Sequence, residues 1–178
     1  MSGAGNAAAA VSLNEVKAYL RVETIADDAL IAGLLRTATN LCEQFTGQVA
    51  LASERTEQVP ADGCWHRIAA TPMKRLVTGV SIDAAGTETP LPVEEIETQI
   101  DFCGDGWVRV APDTERVRAR LTIEAGLAAD WNDLPEAVRQ GIIRLVAHLY
   151  AHRDGADDAG PPAAIAALWR PWRRMRLS

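Results

Sequence analysis

The sequence predicts an α+β protein: two long amphipathic helices and some short ones form a helical core, a small antiparallel β-sheet is inserted between them, and an extended C-terminal tail follows. Three observations predict this. Apolar residues recur at helical spacing in two stretches, from Asp27 to Phe45 and from Leu134 to Leu149. Between them, residues 51–125 fall into short alternating runs broken by Pro and Gly. The last ten residues then abandon both patterns.

A length of 178 residues is enough for one domain with a single core and appendages. Residues 1–11 form a Gly/Ala-rich leader with no cap or turn logic, expected to be disordered. Residues 12–153 form a single domain that is helical over 12–47 and 135–153 and carries the β insert at 51–125. Residues 154–178 form a linker and tail.

Structure is expected to begin at Ser12. Ser12-Leu-Asn-Glu15 reads as a capping box, opening a short helix to about Arg21 with Leu13, Val16 and Leu20 on one face. After a break at Val22 to Ala26, Asp27 and Asp28 place negative charge where a helix N-terminus favours it. Leu30, Ile31, Leu34, Leu35, Ala38, Leu41, Cys42 and Phe45 then form an apolar stripe. Gly47 closes that helix, because glycine adopts the left-handed conformation without penalty.

The strand candidates are Arg55 to Val59, Trp65 to Ala69, Leu76 to Ile82, Ile96 to Phe102, Trp107 to Val110 and Val117 to Glu124. Gly104-Asp105-Gly106 and Asp83-Ala-Ala-Gly86 supply turns between them, and Thr87 to Val93 reads as a connecting loop. Leu134-Pro135-Glu136 starts the second long helix, with proline tolerated in its first turn and Val138, Ile142, Leu145, Val146 and Leu149 along its apolar face. It ends near His152. A polar linker from Asp154 to Pro162 leads to one or two helical turns over Ala163 to Trp169, before Pro171 restricts the backbone.

The formal charge is −6, and its distribution is uneven. From Pro135 onward there are seven arginines against four acids, leaving eleven basic and twenty acidic residues before it. Such an acidic body argues against broad contact with DNA, since affinity for phosphate backbones is built from many Lys and Arg contacts. Trp169 to Ser178 hold two tryptophans, four arginines and no acid. Arginine and tryptophan are enriched at interface hot spots, so Trp169, Arg170, Trp172, Arg173, Arg174, Met175 and Arg176 are the candidate partner-binding residues. The bland alternative is a frayed basic terminus. On the docking reading, cutting after Ala167 spares the body and abolishes binding, and Trp169 and Trp172 lose their exposure on assembly.

No catalytic, cofactor-binding or metal site is expected. Cys42, Cys64 and Cys103 lie far apart without a C-x-x-C pair and read as reduced, mostly buried thiols. His148 and His152 have the i, i+4 spacing of a metal pair. They lack a third ligand, and a helix C-terminus explains them. Glu94, Glu95 and Glu97, like Asp154, Asp157 and Asp158, read as solvated loop acids. There is no phosphate-binding glycine motif and no nucleophile elbow, so a small hydrolase is the weakest reading. No stretch approaches a membrane span, and Met1 to Ala10 lacks the features of a signal peptide, so a cytoplasmic location is expected.

The stretch from Val11 to Val22, Val-Ser-Leu-Asn-Glu-Val-Lys-Ala-Tyr-Leu-Arg-Val, resembles the opening of tailed-phage head-tail connector proteins, also called adaptors. The resemblance continues through Asp27-Asp-Ala-Leu-Ile-Ala-Gly-Leu-Leu35 to Glu43-Gln-Phe-Thr-Gly47. The segment Leu134-Pro-Glu-Ala-Val-Arg-Gln-Gly-Ile-Ile-Arg-Leu-Val-Ala-His-Leu-Tyr150 is similar to that family's second long helix. The intervening strands are less characteristic. Phage-like gene transfer agents use the same part.

The resemblance implies a structural protein: a homo-oligomeric ring, usually dodecameric, beneath the portal protein of a DNA-filled capsid. Its other face would meet a stopper or tail-completion protein, and DNA would pass through the channel without specific binding. It implies assembly in the cytoplasm, final residence in a particle neck, and docking of the C-terminal tail on the portal. The competing reading is a DNA-binding or regulatory protein that uses the Arg-rich C-terminus on phosphate, its mark being affinity that falls steeply with salt.

Overall fold

The computed structural model describes residues 3–113, 116–152 and 160–174, with the backbone alone for 3–11. The chain divides into two compact units, a helical one made from 1–50 and 128–178 and a β unit from 51–127.

In the helical unit, α1 spans Gly3–Leu20, α2 Asp28–Thr46, α3 Glu136–Ala151 and α4 Ala163–Trp169. The first helix departs from expectation. It runs through the leader from Gly3, so Ser12 lies in its interior and is buried instead of capping it. The box acid has another use: the Glu15 carboxylate accepts the indole N–H of buried Trp131 at 2.6 Å. A buried indole donor needs such a partner.

Helix α1 ends at Arg21, which takes the left-handed conformation at φ 56° while the Val22 amide reaches back to the Lys17 carbonyl. That closing geometry is ordinarily given to glycine. Helix α2 starts as the acidic pair predicts, with Asp27 at the cap and Asp28 in the first turn, and closes on Gly47 at φ 69°. Its buried residues are Ile31, Leu35, Ala38, Cys42 and Thr46. Leu30, expected on the same stripe, is exposed. Helix α3 follows Pro135, whose carbonyl accepts the Val138 and Arg139 amides. It packs on α1, α2 and α4.

The β unit holds two antiparallel sheets where the sequence suggested one. The strands are β1 Ser53–Pro60, β2 His66–Arg67, β3 Met73–Asp83, β4 Glu88–Leu91, β5 Ile96–Ile100, β6 Gly106–Val110 and β7 Arg116–Ala125. One sheet has the order β1-β7-β3-β4 and the other β2-β6-β5. The first depends on non-local pairing, with Ser53 opposite Ala125, a partnership that no local pattern announces. Val59, Met73, Leu91, Ile96, Val108, Leu121 and Ile123 from both sheets, with Ile68 just after β2, share one core.

Strand β4 lies where a loop was expected. It is an edge strand paired only with β3, and Pro90, which cannot donate to a ladder, is tolerated there. The expected run Trp65 to Ala69 shortens to β2. The expected hairpin forms between β5 and β6 around Gly104.

Candidate docking surface

The only residue-level site expectation concerns the segment 169–176, and the structure places its members unequally. Trp169 has no solvent exposure. Its indole N–H donates to the Val138 carbonyl at 3.2 Å, and its ring lies 5.9 Å from that of Phe45. The ring fits against α3 because residue 141 is glycine: a Cβ there would collide with the indole. Trp169 is therefore an internal anchor of the helical unit, and its burial does not wait for a partner. The sequence held a signal for this in Gly141 itself. A glycine within a helical stripe weakens the helix by about 1 kcal/mol relative to alanine and commonly has a packing reason.

Beyond the anchor, the chain turns through a 3-10 segment, Arg170–Trp172, and runs along the end of α2. The Gln48 side-chain amide donates to the Trp172 carbonyl, and the Arg174 amide donates to the Thr46 carbonyl at 2.8 Å. A last-turn carbonyl of α2, left without a helical partner, thus receives a donor from the tail. The Arg173 guanidinium sits 5.6 Å from the centre of the Phe45 ring. Arg170, Pro171 and Arg173 are exposed, whereas Trp172 and Arg174 are half-buried. Met175 and Arg176 lie outside the described residues. What this segment offers outward is two exposed arginines on an anchored backbone.

The other candidates resolve differently. His148 and His152 bring their rings to 4.4 Å, and the His152 Nδ1 lies 2.9 Å from the His148 carbonyl oxygen. Among the described residues no group of three or more His, Cys, Asp or Glu side chains is suited to hold a metal. Glu95 pairs with Arg116 and Glu97 with Arg109. Asp154, Asp157 and Asp158 lie outside the described residues.

The thiols need a correction. Only Cys42 is buried; Cys64 and Cys103 are exposed, because they sit in the turns that begin at Asp62 and Asp101. Burial, with a smaller contribution from the neighbouring Glu43 charge, pushes the Cys42 thiol from 9.0 up to about 12.

A shallow polar cleft on the β unit is lined by Ser81, Asp83, Thr89, Glu95, Asp113 and Arg116, among others. The Ser81 hydroxyl donates to the Thr89 carbonyl at 3.1 Å, and the lining contains no histidine. Asp83 is a turn acid: the Thr87 amide, at 2.7 Å, is the main cause that holds its carboxyl below the usual range. Among the described residues no helix is long and apolar enough to cross a membrane.

The fold, a discontinuous helical unit with a two-sheet unit between its parts, is that of gene transfer agent neck and virion chains. The chain is 23% identical to one in the neck of an empty gene transfer agent particle computed with C6 symmetry, at a TM-score of 0.77, with 93% of this chain and 90% of that one covered. It is 26% identical to one in the virion of a native gene transfer agent particle, at 0.73, with 93% and 90% covered. A third, in the neck of the native particle computed with C12 symmetry, is 22% identical at 0.77, with 100% and 95% covered. These structural neighbours are consistent with the head-tail connector resemblance read from the helical segments. No protein-family model and no curated protein sequence matches the chain.

Proposed function

We propose that the chain is a structural head-tail connector of a phage-like particle, an adaptor that forms a ring beneath the portal and joins it to a stopper or tail-completion protein. The observation that carries this reading is the likeness over essentially the whole chain to a neck chain in a structure computed with C12 symmetry. On this reading the two helical segments and the β unit build the ring, twelve copies close it by rotation, and one face of each copy meets a different face of the next. The protein assembles in the cytoplasm and ends in the particle neck.

The segment after Trp169 is the portal-facing part. Its backbone at Trp172 and Arg174 is already held by Gln48 and Thr46, so Arg170 and Arg173 bind without the full cost of ordering a free tail. The acidic β unit, with eight basic against thirteen acidic residues, suits a channel through which DNA moves without sticking. Five of its cations, Arg67, Arg75, Arg109, Arg116 and Arg120, are paired with neighbouring carboxylates, which lowers the pull of this unit on passing phosphates.

The test is removal of the gene from the producer, followed by electron microscopy of the particles. Accumulation of DNA-filled heads without tails, reversed by the complete chain, supports the adaptor reading. Normal tailed particles in its absence reject it.

A further inference from the structure

We propose that Arg170 and Arg173 form a two-guanidinium clamp for a pair of carboxylates on the protein that receives the tail, and that Gln48 is the positioning residue that holds the clamp in place. The proposal rests on the portal-docking reading above and names the chemistry of that contact.

The two arginines are paired by the backbone. Residues Arg170–Trp172 form a 3-10 turn, closed by the Arg173 amide on the Arg170 carbonyl at 3.1 Å. In such a turn residues three apart lie one above the other, so Arg170 and Arg173 leave the chain on the same side. Both are exposed. Among the described residues no carboxylate pairs with either of them, and residues 163–178 contain no acid. The arginines of the β unit differ in this respect, since five of them already meet carboxylates of their own chain. The planar guanidinium fork matches a carboxylate through two parallel hydrogen bonds. A phosphate fits the same fork, but affinity for DNA needs many such contacts, and this chain has a formal charge of −6.

The closure of α2 grips the clamp from below. Gln48 is only 7% exposed, and its side-chain amide donates to the Trp172 carbonyl. The Thr46 carbonyl accepts the Arg174 amide at 2.8 Å. These two bonds hold the residue before Arg173 and the residue after it. The Phe45 ring, 5.6 Å from the Arg173 guanidinium, supports the side chain itself. Gln48 is in turn fixed by its own amide, which donates to the Thr46 hydroxyl at 3.3 Å. With Trp169 buried on the other side of the turn, both arginines stand on a backbone anchored at each end. A clamp ordered in advance loses little freedom on binding.

The experiment measures binding of the full-length chain to portal assemblies purified from the producer, at rising salt, with a melt of every variant. Arg170→Lys with Arg173→Lys keeps the charge, loses the fork and weakens binding about tenfold. Arg170→Ala with Arg173→Ala weakens it about a hundredfold. Gln48→Met keeps the length of the side chain, removes the donor and weakens binding about tenfold in the native chain. Added to the double alanine variant it changes nothing further, because its effect passes through the arginines. A second probe of the grip is Arg174→Pro, which removes the amide that Thr46 accepts. The extended Arg173 backbone, at φ −72° and ψ 123°, accepts a proline after it. Arg174→Pro therefore binds about tenfold more weakly than Arg174→Ala, which keeps the amide.

Binding by the double lysine variant equal to wild type overturns the clamp, and so does a double-stranded DNA fragment held with the same dependence on the two arginines. A Gln48→Met loss that adds in full to that of the double alanine variant, or equal binding of R174P and R174A, overturns the positioning role. Each of these leaves the docking reading intact. Failure of the unmodified chain to bind portal assemblies overturns that reading together with the clamp.

Discussion

Gly141 and Trp169 are two halves of one packing decision, and each makes a prediction. Gly141→Ala forces the indole off the helix and is expected to lower stability by about 1–3 kcal/mol, read as a fall in melting temperature. Trp169→Ala leaves a cavity and removes aromatic surface, at a cost of about 3–5 kcal/mol by the same measurement. Cys42 makes a further prediction through its burial. A maleimide should label Cys64 and Cys103 in the native protein and reach Cys42 only on unfolding. The Cys42 thiol is raised when folded, so its contribution is fully present below 9.0 and is lost as the pH climbs toward about 12, because the unfolded chain ionises first. Across that window the wild type should therefore lose more melting temperature than Cys42→Ala. At this scale the sequence was only partly legible. Tryptophan beside arginine reads as a docking pair whether or not a glycine elsewhere has opened a slot for one member, and the slot is a tertiary fact.

Among the elements, the helices show where local signals suffice and where they mislead. Asp27, Asp28 and Gly47 bound α2 because caps are decided within a turn or two. The Ser12 box misled, because the same residues serve inside a helix when a buried Trp131 recruits Glu15. Glu15→Ala should therefore leave the buried Trp131 indole N–H without its acceptor, at about 1–3 kcal/mol, and Glu15→Gln should recover most of it. Strand β4 escaped notice because Pro90 forbids a central strand and allows an edge, and edge position is invisible before pairing is known. The tail element changes the truncation expected to separate folding from docking. Cutting after Ala167 deletes Trp169 and unseats the helical unit, so loss of binding would report misfolding. A cleaner variant is Arg170→Glu with Arg173→Glu, at exposed positions: it removes no internal contact except that of Arg173 with the Phe45 ring, so it should lower stability by no more than about 1 kcal/mol, read by thermal melting, and sharply reduce recovery with the portal.

For the whole molecule, the class of fold was legible because periodicity switches from helical to alternating and back along the chain. The presence of two sheets was not, since β1 finds its partner in β7 at the far end of the unit. That pairing brings residues 53 and 125 together, so the excised segment 51–127 is expected to fold alone, showing strand-type circular dichroism and a cooperative melt. A non-cooperative melt would mean that the sheets depend on the helices.

The division of the helical unit across the chain also bears on its birth. A ribosome releases 51–127 as one continuous piece, able to pair its strands while the rest is still being made. Helices α1 and α2 meet α3 late, and they receive Trp169 only when synthesis has passed residue 169. A product stalled earlier lacks the plug for the slot at Gly141 and exposes the surrounding core. Chains stalled before residue 169 should therefore be cut by protease faster than chains that carry Trp169.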